Sequence, residues 1–91
     1  MEAFKPSCNL TFDSVEGDIK HFKDFCNKNT QNPIIIDLGE VQQCDSAGLA
    51  FLIEAKRSGA NKKRAFRIEN IPPMTQALIT FCDLQSILGV E

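Results

Sequence analysis

Residues 34–36 are three consecutive isoleucines followed closely by Leu38, and this stretch constrains the fold more than any other. Apolar residues at successive positions predict a strand buried on both faces, as in parallel sheets covered by helices. A short polar loop follows, and a helix is predicted to begin at Asp45 and Ser46. This order of strand, loop and helix puts the helix start outside the carboxyl edge of the sheet, where open α/β folds present functional surfaces.

Length and composition limit the size and the partners of the chain. We interpret its 91 residues, 1–91, as one domain with little room for a deep substrate cavity. A hydrophobic share of 43% without a long apolar run is typical of a soluble globular protein, and the N-terminus lacks a secretory signal, so a cytoplasmic location is expected. The net charge of −2 argues against nucleic acid as a partner. We interpret the basic residues 56–57 and 62–64 as a solvated helix end and turn, with contact to an acidic partner or to lipid headgroups left open.

Alternation and helical spacing predict the elements before the central strand. Cys8, Leu10 and Phe12 alternate with polar residues, which predicts a strand with these side chains inward, as the second arm of a short hairpin. A helix should follow, with Asp13 as N-cap and Glu16 three residues later. Its predicted inward stripe consists of Val15, Ile19, Phe22, Phe25 and Cys26.

The helix after Asp45 divides into two halves when its residues are placed at 100° intervals. The inward half, predicted to pack on the sheet, contains Gly48, Leu49, Phe51, Leu52, Ala55 and Gly59. The outward half contains Ser46, Ala47, Ala50, Glu54, Arg57 and Ser58. Because the outward face begins with small residues, another backbone or helix could approach closely there.

Three more elements are predicted after this helix. They are a strand at residues 64–70, a helix from about Pro73, and a closing apolar turn or short helix at residues 84–89. The helix from Pro73 is predicted to bring three side chains onto the core: Ala77, Leu78 and Phe81. The order β(β)αβαβα predicts an α/β fold, with a mixed β-sheet of about four strands and helices packed on it.

The motifs that carry chemistry do not indicate an enzyme. Gly48 is isolated, so no phosphate-binding glycine loop is present. A hydrolase would need His21 to meet Ser46, and no G-x-S-x-G elbow surrounds that serine. With one histidine and widely spaced cysteines, we expect no metal site and no cofactor. Most cysteines are expected to be small buried residues, the set being Cys8, Cys26, Cys44 and Cys82.

Residues 45–49, Asp-Ser-Ala-Gly-Leu, follow the strand at 34–38 and precede an apolar helix. They resemble the D-[ST]-x-G-[LI] signature of STAS domains, and the order of elements matches over about residues 8–90. The resemblance implies a small STAS-like domain that binds proteins and does not catalyse a reaction. It also implies structural roles within the motif for Asp45, Gly48 and Leu49.

Two branches of this family differ at the motif. Anti-sigma-factor antagonists bind an anti-sigma kinase and are typically phosphorylated at the second of two hydroxyl residues, a position that is Ala47 here. Ser46 corresponds to the first, which is Ser or Thr in the MlaB-like branch. Those proteins are cytoplasmic accessory subunits that bind and support the ATPase of Mla-type phospholipid ABC transporters. We prefer the MlaB-like branch, with an anti-sigma-factor antagonist as the alternative.

The preferred branch implies an ABC transporter ATPase subunit (MlaF-like) as partner, without direct membrane insertion, so the chain would be peripheral to the inner membrane through that partner. The predicted partner-binding surface comprises Gln43, Asp45, Ser46, Ala47, Ala50, Glu54 and Arg57. A lipid carrier, the third class considered, would need a roomier apolar cavity than a chain of this length is expected to hold.

Overall fold

The computed structural model describes residues 2–61 and 63–89. The elements in chain order are β1 (Ala3–Phe4), β2 (Asn9–Leu10), α1 (Val15–Lys28), β3 (Ile34–Asp37), β4 (Gln43–Cys44), α2 (Ser46–Asn61), β5 (Phe66–Glu69), α3 (Pro73–Phe81) and α4 (Gln85–Leu88). The predicted α/β order is confirmed. The structure contains one strand that the sequence did not predict, the two-residue β4 inside the polar loop before α2.

The strands pair in parallel in two small sheets. β3 is the central strand of the sheet β1-β3-β5, where Ile36 lies opposite Phe4 on one side and Ile68 on the other. β2 and β4 form the second sheet. Every strand pair among the described residues is parallel, whereas a mixed sheet was expected. The predicted hairpin is wrong, because β1 and β2 pair with different strands and not with each other.

The core lies between the sheet and the helices, and the central strand and α2 contribute more of its side chains than any other elements. Residues 34–36 and Leu38 are all buried, as the isoleucine run predicts. The rings of Phe4 and Phe51 pack against Phe22 of α1 edge to face, with centroids 5.2 and 5.8 Å from it. The inward half of α2 is buried in full, and it consists of Gly48, Leu49, Phe51, Leu52, Ala55 and Gly59.

Two sets of predicted inward side chains point elsewhere. β2 ends at Leu10, which is buried, and a turn begins directly after it, so Phe12 is 79% exposed. In α3 the buried residues are Thr75 and Ile79, whereas Phe81 is 88% exposed. Ala77 is also exposed. Leu78 is half-buried and packs against the core, as predicted. The predictions were therefore wrong for Phe12, Ala77 and Phe81, and right for Leu10 and Leu78.

Smaller corrections concern the start of α1, the basic cluster and the cysteines. The N-cap of α1 is Ser14, not Asp13, and its side chain makes no capping bond. Arg64 is half-buried and donates to the carbonyl oxygens of residues 26, 29 and 31, so it ties the end of α1 to β5 and is not simply solvated. Lys62 lies outside the described residues.

The cysteines are not buried, although most of them were expected to be: Cys8 and Cys82 are exposed, and Cys26 and Cys44 are half-buried.

Candidate functional site

Asp45 lies between β4 and α2 and organises the start of that helix. Its Oδ1 accepts hydrogen bonds from the backbone N–H groups of Ala47, at 2.9 Å, and Gly48, at 3.2 Å. These bonds satisfy two of the amides that a helix start leaves without intrahelical partners. Its Oδ2 accepts the backbone N–H of Phe12 at 3.0 Å. One carboxylate therefore joins the start of α2 to the turn after β2.

The same three hydrogen bonds stabilise the ionised form of Asp45. The N–H of Phe12 contributes most to lowering the pKa of this carboxyl below its ordinary value, and the N–H groups of Gly48 and Ala47 add to the effect. A negative charge at the N-terminal end of a helix also interacts favourably with the helix dipole. At neutral pH Asp45 is therefore a fixed acceptor that positions backbone, and not a proton donor.

Gly48 allows α2 to approach β2 more closely than any residue with a side chain could. A Cβ atom at this position would lie 2.3 Å from the backbone oxygen of Leu10 and 2.8 Å from Sγ of Cys44. The first of these atoms belongs to the backbone of β2, which cannot move aside without disturbing its pairing with β4. The glycine is thus required here by close packing of helix on strand. Leu49, next in the chain, is buried in the core.

The outward face of α2 presents small residues first and charged residues after them. Ser46 and Ala50 are exposed and Ala47 is half-buried. The Ser46 hydroxyl makes no hydrogen bond within residues 2–61 and 63–89. Glu54 and Arg57, also exposed, bind each other across 3.4 Å. With a rise of about 1.5 Å per residue, this face runs for about 16 Å from the first serine to the arginine.

Gln43, the remaining member of the predicted surface, is exposed in β4 and lies beside a groove. The groove separates the β4 region from the start of α3 and has a volume of about 490 Å³. Its lining consists of Gln42, Gln43, Cys44, Pro72, Pro73, Met74, Thr75 and Leu78. Met74 is 82% exposed, so an apolar side chain lies on this flank of the site.

Cys44 lies immediately before Asp45 and is half-buried. Burial raises the pKa of its thiol to about 11, and the negative charge of Asp45 acts in the same direction. The thiolate is the nucleophilic form of cysteine, so this thiol is a poor nucleophile at neutral pH. Cys44 therefore serves here as a packing residue beneath Gly48.

Asp37, at the end of β3, holds backbone and side-chain groups by hydrogen bonds as Asp45 does at the start of α2. Its Oδ1 accepts the backbone N–H of Gly39 at 2.8 Å and the side-chain amide of Asn70 at 3.1 Å. The bond from Gly39 contributes most to lowering the pKa of Asp37, and the bond from Asn70 adds to it. The loop that leads from β3 towards α2 is thus fixed to the residue that follows β5.

Sequence reasoning did not find two exposed apolar residues beside this surface, Phe12 and Met74. The alternating pattern predicts an inward Phe12, which is wrong, and it gives no prediction for Met74. The available signal for Phe12 was the following Asp13-Ser14 pair, which is typical of a turn and so places the end of the strand before it.

The described residues contain no group of three or more His, Cys, Asp or Glu side chains that could hold a metal ion. His21 is exposed on α1. None of the described helices is long and apolar enough to span a membrane.

The fold and this surface define a small α/β domain that presents a capped helix start beside a parallel sheet. A family model described as "Mlab, STAS domain" matches residues 14–89, which is most of the chain. The chain therefore belongs to this family of STAS domains. Such domains are generally non-catalytic binding modules, and the family supports that class here. A comparison with curated proteins found no match.

Proposed function

We propose that this chain is the cytoplasmic STAS accessory subunit that binds and supports the ATPase of an Mla-type phospholipid-transport ABC complex, which maintains outer-membrane lipid asymmetry. The observation that carries the proposal is the exposed start of α2, where Ser46 and Ala50 follow a helix cap fixed by Asp45. The match to an MlaB-type STAS family supports it. The chain would be peripheral to the inner membrane through this partner.

The physical mechanism is docking on a rigid platform. Side chains at the start of α2 are small, so a partner backbone can approach closely, and the Ser46 hydroxyl supplies a hydrogen bond. Exposed ion pairs contribute little to stability, so Glu54 and Arg57 can exchange their mutual contact for partners across an interface at small cost. A subunit that binds only one state of the ATPase stabilises that state by mass action.

The direct test places a bulky charge on the proposed surface. We expect Ser46→Arg or Ala50→Arg to abolish co-purification with the transporter ATPase and to leave the melting temperature nearly unchanged, because both side chains are exposed. Ala65→Arg is the matched control. Ala65 is also exposed, and it lies before β5, at the opposite end of the strands from Asp37 and Asn70. Retention of the ATPase by both surface variants would contradict the assignment of this surface.

The alternative is an anti-sigma-factor antagonist that binds an anti-sigma kinase. Ser46 favours it, because this exposed hydroxyl lies at the positive end of α2, where a phosphate would interact favourably with the helix dipole. Two observations oppose it. Ala47 cannot accept a phosphate, and Asp45 already occupies the N–H groups that would otherwise bind one. Incubation with an anti-sigma kinase and ATP distinguishes the two, since phosphate on Ser46 would favour the antagonist.

A further inference from the structure

Phe12 is a large apolar side chain that is 79% exposed. Exposure alone carries little meaning, because single apolar residues are common on protein surfaces and Phe81 is exposed to 88%. The two differ in their surroundings. Phe81 is the last residue of α3, whereas Phe12 follows β2 in the turn that Asp45 holds against α2. Phe12 also lies outside residues 14–89, the stretch matched by the family.

The backbone on both sides of Phe12 is held by hydrogen bonds. The carbonyl oxygen of Thr11 accepts the N–H groups of Ser14, at 3.0 Å, and Val15, at 2.8 Å. The N–H of Thr11 in turn donates to Oγ of Ser14 at 3.2 Å. The N–H of Phe12 itself donates to Asp45. The turn is therefore closed by its own bonds and tied to α2 by a further one.

Asp45 fixes Phe12 relative to the face of α2. One oxygen of its carboxylate caps the helix that carries Ser46 and Ala50, and the other holds the amide of Phe12. A backbone that is already fixed adds no ordering cost of its own on binding, and aromatic residues carry much of the energy of many interfaces. The backbone that carries the exposed ring is thus fixed to the start of the helix that carries the small residues.

We propose that Phe12 is an aromatic anchor of the docking surface and that it fills an apolar pocket of the partner protein. The proposal rests on the proposed function, since the occupant is the ATPase that binds the outward face of α2. The chemistry of that pocket follows from the side chain, because a phenyl ring offers no hydrogen bond. The pocket is therefore lined by apolar groups and adjoins the surface that contacts Ser46.

The test measures the affinity of the full chain for the purified transporter ATPase by isothermal titration calorimetry. We expect Phe12→Ala to weaken binding about tenfold to a hundredfold, as truncation of an interface anchor does. The variant keeps the N–H that binds Asp45, so its melting temperature should stay near that of the unmodified chain. Phe81→Ala, which removes a ring that is even more exposed, should bind normally. Phe12→Leu should restore most of the affinity, since it keeps apolar bulk.

Other results would separate this inference from the proposed function. Normal binding by Phe12→Ala, together with lost binding by Ala50→Arg, would overturn the anchor and leave the proposed function standing. An unmodified chain that does not bind the ATPase would overturn both. Self-association of the chain that Phe12→Ala abolishes, measured by sedimentation without ATPase, would identify a second copy as the occupant and also overturn the inference.

Discussion

The helices α2 and α3 differ in how they begin and in how much of each is buried. α2 starts at the Asp45 cap and packs against α1, α4, β4 and β5. α3 starts after Pro72, which makes no side-chain cap, and it packs mainly against β4. Only Thr75 and Ile79 are buried in it. A helix fixed at its first turn and packed on several elements can present an outward face without moving, which agrees with the docking role proposed for α2.

The largest loss of stability should come from a side chain that obstructs the close packing of α2 on β2 at Gly48. We expect Gly48→Ala to lower the free energy of unfolding by about 3 kcal/mol or more, because the new Cβ would lie 2.3 Å from the backbone oxygen of Leu10. Helix propensity alone would favour alanine by up to about 1 kcal/mol, so the predicted sign opposes it. Urea denaturation followed by circular dichroism measures the difference.

Gly17→Ala in α1 is the matched control for this substitution. A Cβ at Gly17 meets nothing within 4 Å, so the same change should stabilise the chain by roughly 0.5–1 kcal/mol. Equal and small effects at Gly17 and Gly48 would contradict the close approach of α2 to β2.

The second effect separates the true buried face of α3 from the one that its sequence suggested. Ile79→Ala should cost about 2–5 kcal/mol, because Ile79 is fully buried in the core. Phe81→Ala should change stability by less than about 0.5 kcal/mol, because its ring is exposed. Both values come from the same denaturation experiment. A cost at Phe81 equal to that at Ile79 would mean that α3 is rotated about its axis relative to the structure.

The face of α2 was predictable because its sequence separates apolar from polar positions. Glu54, Arg57 and Ser58 mark one side of the helix clearly, so the opposite side had to be the buried one. The isoleucines of residues 34–36 were equally informative, since no solvent-facing position interrupts them. Asp45 and Gly48 were placed by the motif, but the structure was needed to find the backbone atoms that each one contacts.

The face of α3 was not predictable in this way because apolar residues surround it. The helix has no clear polar side, because its apolar residues are spread around it: Met74, Leu78, Ile79 and Phe81. The side chain of buried Thr75 forms a hydrogen bond with the side chain of Cys44, a contact made only in the folded chain. The pairing of the short strands could not be predicted for a related reason. Two-residue strands carry no periodic signal, and their parallel partners lie more than 30 residues away.

The smallest expected change in stability comes from neutralising Asp45, the charged cap that α2 has and α3 lacks. Asp45→Asn keeps one oxygen for the cap and replaces the other with an amide nitrogen, which cannot accept the N–H of Phe12. We therefore expect a modest fall in melting temperature at pH 7. The pKa of Asp45 is lower in the folded chain than its ordinary value, so its ionisation stabilises the fold above about pH 4, and that contribution is lost as the pH falls through the folded pKa.

The difference in melting temperature between the unmodified chain and Asp45→Asn should therefore be largest near neutral pH and shrink towards acid. Asp37, whose pKa is also lowered, is present in both proteins and cancels from the difference. Asp83→Asn, at an exposed residue just after α3, controls for the loss of one negative charge. A difference that grows as the pH falls would reverse the predicted sign and exclude an ionised Asp45 as the group that joins Phe12 to α2.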